Sequence, residues 1–145
     1  MNIVASLRAL IGDDGVLDSG EVATRAIGVG RPERMTAAAL ARPKTTEQVS
    51  AVLRWCNDNG VKVVAHGGMS GLVRATQTGE TDVALSLERM RTIENIDPQQ
   101  RTATVQAGVV LQTLQEAVEE KGLSFPLDLG GRGSATIGGN ASTNA

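Results

Sequence analysis

The sequence predicts a mixed α+β fold, and three stretches carry that expectation. Residues 45–65 read as a capped amphipathic helix that passes through a glycine turn into a β-branched strand. Residues 92–107 read as two β-rich runs closed by Asp97-Pro98-Gln99-Gln100, a hairpin with Pro98 setting φ for the turn. A second amphipathic stretch at 111–121 follows, and a glycine-rich segment then leads toward one more helix.

Taken in order, Ile3, Val4, Leu7, Leu10 and Ile11 recur at helical spacing, and Gly12 stops the run. Residues 13–34 show weak periodicity and several Gly, Asp and Glu, which suggests an irregular arm; residues 1–35 are therefore set apart from 36–145. A short strand at 36–41 ends before Pro43, because the residue preceding a proline avoids helix. Thr45 and Gln48 form a T-x-x-Q capping box, with Val49, Val52, Leu53 and Cys56 as the apolar stripe. Gly60 suits the left-handed position that ends this helix. Strands follow at 61–65 and 82–87, with Glu88-Arg89-Met90 as a helical turn. Leu111, Leu114, Ala117, Val118 and Lys121 share a helical face, and Gly122 ends it.

Composition excludes several function classes. With 14 basic and 16 acidic residues the net charge is −2, so nothing draws the chain to nucleic acid or an anionic membrane. No apolar run is long enough for a membrane span, and the first residues make a poor signal peptide. The single Cys56 has no internal disulfide partner and takes a core position, which suggests a reducing, cytoplasmic setting. One His and one Cys make no metal-ligand cluster, so no metal is expected.

Chemistry concentrates in two glycine clusters, Gly67-Gly68-x-Ser70-Gly71 and Gly138-Gly139-Asn140. Glycine lets a backbone approach a ligand closely, and consecutive amides in a turn form an anion-binding hollow. A helix N-terminus adds free N–H groups. Such a pair suits a diphosphate without net basic charge, with the side chains of Ser70, Thr136, Asn140 and Thr143 as supplements. Each cluster alone reads equally as a turn, which glycine-rich loops close more often than they bind phosphate. Gly28-Val29-Gly30 lacks the third glycine of a dinucleotide fingerprint, and no phosphate-loop lysine motif exists.

Five motifs in a fixed order resemble one family. They are Arg42-Pro43-x-Thr45-Thr46-Glu47-Gln48-Val49, residues 63–72 around His66-Gly67-Gly68-Met69-Ser70-Gly71-Leu72, Leu87-Glu88-Arg89-Met90, Ile96-Asp97 to Gln106-Ala107-Gly108, and the segment 125–145. The set is similar to the FAD-binding domain of the vanillyl-alcohol oxidase and p-cresol methylhydroxylase type, in its D-2-hydroxyglutarate and D-lactate dehydrogenase branch. The resemblance implies two α+β subdomains with FAD extended between them, and a domain continuing past Ala145. It implies cofactor contacts from Pro43 at the nucleotide end and from His66, Gly67, Gly68, Met69, Ser70, Gly71 and Leu72 at the pyrophosphate. Pro126, Asp128, Gly130, Ser134, Thr136, Ile137, Gly138, Gly139, Asn140 and Thr143 complete the implied set. It further implies hydride transfer from a small 2-hydroxy acid to FAD, with substrate and catalytic groups supplied by a C-terminal domain. Oxygen, a quinone and a protein all stay open as electron acceptor. Two other readings stand beside this one: a non-catalytic remnant, and a small phosphate-binding or interaction module.

Overall fold

The computed structural model describes residues Met1–Ala145. Its elements in chain order are α1 (Ile3–Ile11), β1 (Val16–Asp18), α2 (Ser19–Val22), β2 (Ala39–Ala41), α3 (Thr46–Asp58), β3 (Val63–His66) and β4 (Val83–Ser86). After these come β5 (Ile93–Asp97), β6 (Thr102–Val105), α4 (Leu111–Glu119) and α5 (Ile137–Thr143). The mixed α+β expectation holds, in two units with separate sheets.

The first unit is a four-stranded sheet in the order β1-β2-β4-β3. β2 and β3 both run parallel to the central β4, and β1 pairs antiparallel with β2. β4 is buried along its whole length, as expected of a strand covered on both faces. α3 joins β2 to β3; it is capped by Thr45, whose hydroxyl accepts from the Gln48 N–H at 3.2 Å. The Gln48 side chain reaches one residue beyond the expected capping-box partner and accepts from the Lys44 N–H at 2.7 Å. Val52 and Cys56 are buried on this helix, whereas Leu53 is 44% exposed, so the stripe facing the sheet is narrower than its apolar spacing suggests. Gly60 closes the turn at φ 66°.

The stretch read as an irregular arm holds structure of its own. Val16–Asp18 form β1 in register with Ala39–Ala41. Asp18 and Glu21 form a reciprocal capping box that starts α2. Leu7, Ile11 and Val16 share one apolar cluster with Ala39, Ala41, Val52, Cys56, Val83 and Leu85. Leu7 is fully buried, and burying such a side chain contributes about 1.5–3 kcal/mol. Leu10 is 39% exposed and lies off the packed face.

The second unit is the β5–β6 hairpin with α4. Asp97 Oδ1 accepts from the Gln99 and Gln100 amides at 2.9 and 3.0 Å, which tightens the predicted turn. Its core is small: Val109, Leu114 and Val118, flanked by half-buried Ile93, Ile96, Val105, Phe125 and Ile137. An apolar groove of about 570 Å³ runs beside it between β6, α4 and residues 122–125. Leu87-Glu88-Arg89-Met90 makes a single turn, with the Met90 N–H donating to Leu87 O at 2.9 Å, and does not extend into a helix. Gly108 joins the units at this turn, since a Cβ there would lie 1.9 Å from Leu87 O.

Candidate cofactor site

Because β2, β3 and β4 run parallel, their carboxyl ends share one edge of the sheet. Arg42-Pro43 leave β2 there, Gly67-Gly68 leave β3 and Leu87-Glu88 leave β4. In open sheets of this kind the crevice outside the carboxyl ends is the usual ligand position.

The loop after β3 is anchored at its start by His66, which is 3% exposed and pairs through Nε2 with the Thr76 carbonyl at 2.8 Å. A carbonyl only accepts, so Nε2 carries the hydrogen. Burial lowers the His66 pKa against the raising effect of that hydrogen bond, which favours the neutral ring. Within this loop none of the amides from Gly67 to Val73 donates a hydrogen bond inside the chain. Met69 takes a left-handed φ of 55°, which turns the backbone at mid-loop. At the tip, Arg31 Nη2 donates to the Leu72 carbonyl at 2.8 Å, and Leu72 is 84% exposed. Gly68 is needed for packing, because a Cβ there would sit 1.7 Å from Ser134 O and 2.9 Å from Ala135 Cα.

The second glycine cluster stands against the first. A Cβ on Gly67 would come within 3.0 Å of Thr136 Oγ1 and 3.5 Å of Gly139 Cα. Gly138 and Gly139 fall inside the first turn of α5, capped by buried Thr136. The expectation of free amides at this helix start is corrected. The Ile137 N–H donates to Val109 O at 2.9 Å, Gly138 to Ala107 O at 2.8 Å and Gly139 to Thr136 Oγ1 at 3.3 Å. The Thr143 hydroxyl is also spent, donating to Gly139 O at 2.9 Å. What remains is Asn140, whose Oδ1 is buried without a partner.

The other sequence-derived residues divide by exposure. Pro43 is fully buried at the end of β2. Pro126, Asp128 and Gly130 lie on the exposed 126–133 segment, where Asp128 pairs with Arg132 at 2.9 Å. Gly131 approaches Ser70, since a Cβ there would lie 3.0 Å from Ser70 Cβ, so this segment also borders the first loop.

Sequence reasoning missed the charge network beneath the loop. Glu88 receives both guanidinium nitrogens of Arg25 at 2.8 and 2.9 Å, Arg42 at 3.3 Å and the Ser86 hydroxyl at 3.1 Å. Burial raises the Glu88 carboxyl, but Arg25, Ser86 and Arg42 outweigh it and hold the pKa at about 2. The Glu88 hydrogen bond raises Arg25 in turn. Beside this, Asp14 binds Arg89 at 2.6 Å and Lys44 at 3.5 Å. Residues so far apart in sequence carry no local signal, although the Asp18-x-x-Glu21 spacing does announce the neighbouring cap.

An anionic ligand that needs many main-chain donors fits this edge. A family profile described as FAD binding domain matches residues 37–145. The chain belongs to the FAD-binding domain family. Over 107 residues it is 43% identical to the D-2-hydroxyglutarate dehydrogenase of Xanthomonas citri pv. viticola, covering 74% of this chain and 23% of that protein. Over 143 residues it is 38% identical to the probable mitochondrial D-2-hydroxyglutarate dehydrogenase of Oryza sativa subsp. indica, covering 98% and 26%. The FAD-binding chain thus spans about a quarter of the length of these curated relatives. The solved structure of p-cresol methylhydroxylase with substrate bound matches at 26% identity and TM-score 0.77, covering 96% of this chain and 28% of that one. Alkyldihydroxyacetonephosphate synthase shares the fold at 22% identity and TM-score 0.84, covering 99% and 28%. No helix is long and apolar enough to cross a membrane.

Proposed function

We propose that this FAD-binding domain serves a flavin-dependent oxidoreductase that oxidises a small 2-hydroxy acid. The observation that carries the cofactor site is the run of unpartnered amides from Gly67 to Val73 at the carboxyl edge of the parallel strands. Backbone donors need acceptors, and consecutive ones in a glycine turn suit a diphosphate. In this reading residues 67–72 hold the pyrophosphate, with His66 buried behind them, and Pro43 borders the nucleotide end. Gly139 keeps the facing surface low, and the unpaired Asn140 Oδ1 accepts from a ligand donor. Ser134, Thr136, Ile137, Gly138 and Thr143 shape that facing wall, while Pro126, Asp128 and Gly130 border the flavin side. Bound FAD supplies the hydride acceptor, and the chain's own residues bind it, orient it and exclude water around it.

The substrate class rests on the names of the relatives, D-2-hydroxyglutarate dehydrogenase and, from Anaerostipes hadrus at 34% identity, D-lactate dehydrogenase. Substrate groups and the electron acceptor belong to the rest of such a protein. A reducing compartment suits the unpaired, buried Cys56; the cytoplasm is one, and the rice relative carries mitochondrial in its name.

The test is the complete protein, purified and examined for flavin absorbance and released FAD. Anaerobic addition of D-2-hydroxyglutarate or D-lactate is expected to bleach that absorbance. A colourless protein that takes up no added FAD returns the remnant reading, and a yellow protein bleached by neither acid removes the substrate class.

A further inference from the structure

We propose that His66 is a positioning residue, whose Nε2–H clamps the 67–76 loop shut and so aims its free amides at the cofactor. The inference rests on the FAD reading of that loop.

Between His66 and Thr76 the loop makes almost no backbone hydrogen bonds of its own. Gly67 to Val73 donate to nothing, and the loop's short turn at Arg74–Thr76 is closed by a single bond from Gln77 to Arg74 O at 3.0 Å. Such a segment gains order only from what pins it. Three pins exist. Gly68 packs against Ser134 and Ala135 by steric fit. Arg31 holds the Leu72 carbonyl at the exposed tip. His66 joins the two ends of the loop at 2.8 Å and is the only buried side chain of the three. A hydrogen bond sheltered from water holds its geometry better than an exposed one.

The surroundings of the ring suit a donor and not a titrating base. His66 lies in register with Ser86 on β4 and lines a recess of about 230 Å³ with Arg25, Met35, Met69 and Glu88. Arg25 and Glu88 already satisfy one another, so neither demands the imidazole. Opening the clamp would spread the loop over many conformations, and affinity falls with the fraction of chains in the competent one.

The experiment compares His66→Leu, which keeps apolar volume without a donor, with His66→Gln, whose side-chain amide restores one. In the complete protein stripped of cofactor, trypsin cleavage after exposed Arg74 is expected to quicken about tenfold in His66→Leu and to stay near wild type in His66→Gln. Titration with FAD is expected to show the same order, about tenfold weaker binding for His66→Leu alone. Should His66→Leu fail to fold, His66→Ala takes its place, with added imidazole expected to slow nicking and tighten FAD. Wild-type nicking and FAD affinity in His66→Leu would overturn the clamp. So would a His66→Gln variant as impaired as His66→Leu, because the ring's shape and not its donor would then matter. A wild-type protein that binds no FAD sinks the flavin reading, and the nicking rates then judge the clamp by themselves.

Discussion

Gly67-Gly68 and Gly138-Gly139 read alike as strings and stand in contact, yet their backbones do opposite things. The first pair opens a loop whose amides from Gly67 to Val73 find no partner within the chain. The second pair lies in the first turn of α5, where Ala107 O and Thr136 Oγ1 consume the amides. Both pairs are tightly packed, since a Cβ on Gly68 would lie 1.7 Å from Ser134 O. Gly138 is confined by Ala107, with a Cβ 2.8 Å from its Cβ, while Gly71 at the far end of the first loop has open space. Both pairs offer closeness, and only the pair on the loop also offers donors. A glycine pair marks a place where the backbone must come near something, and only its hydrogen bonds tell whether that something is a ligand or the protein itself.

Substitutions that separate packing from binding can break or sharpen this contrast. The largest effect is expected from Gly68→Val, because its Cβ falls 1.7 Å from Ser134 O. The complete protein is expected to lose its FAD and about 2–4 kcal/mol of stability while far-UV circular dichroism stays largely unchanged. Wild-type FAD content in this variant would break the assignment of the loop. Gly138→Ala comes next. It is expected to cost about 1–3 kcal/mol by overpacking against Ala107. Its thermal midpoint should fall while FAD affinity per folded molecule changes little, since no free amide is lost.

The third effect concerns the footing of the loop. The folded pKa of Glu88, about 2, lies below its ordinary 4.5. As pH falls from 4.5 the unfolded chain takes up the proton first. The stabilising contribution of Glu88 is therefore whole above 4.5 and is lost progressively toward pH 2. Glu88→Gln is expected to flatten the stability profile in that window, measured by denaturant unfolding at several pH values. An unchanged slope would show that the Arg25–Glu88 pair does not anchor this edge. The smallest stability change is expected at Gly71→Ala, within about 0.5 kcal/mol, because nothing lies near the added methyl. A weaker FAD affinity at an unchanged melting temperature would locate the ligand directly over Gly71.

Much of the scaffold was legible before any coordinates. The α3 stripe with Gly60 after it, the hairpin turn at Asp97-Pro98 and the α4 face ending at Gly122 all rest on contacts within a few residues of each other. β1 was not legible, because three residues show no period and Val16–Asp18 become a strand only by pairing with Ala39–Ala41. The exposure of Leu53 and Leu10 was equally hidden, since helical spacing sets a face but not the width of the surface that covers it.

The sequence by itself determined the order of elements from β2 onward and the family, because caps, periodicity and glycine stops act locally and the motifs stand in a fixed succession. Tertiary structure alone decided which amides stay free, how His66 closes its loop and that Arg25, Arg42 and Glu88 meet beneath it. Those outcomes depend on partners brought close by the parallel sheet and the joined loops. A hydrogen bond is a matter of position in space, which separation along the chain does not reveal.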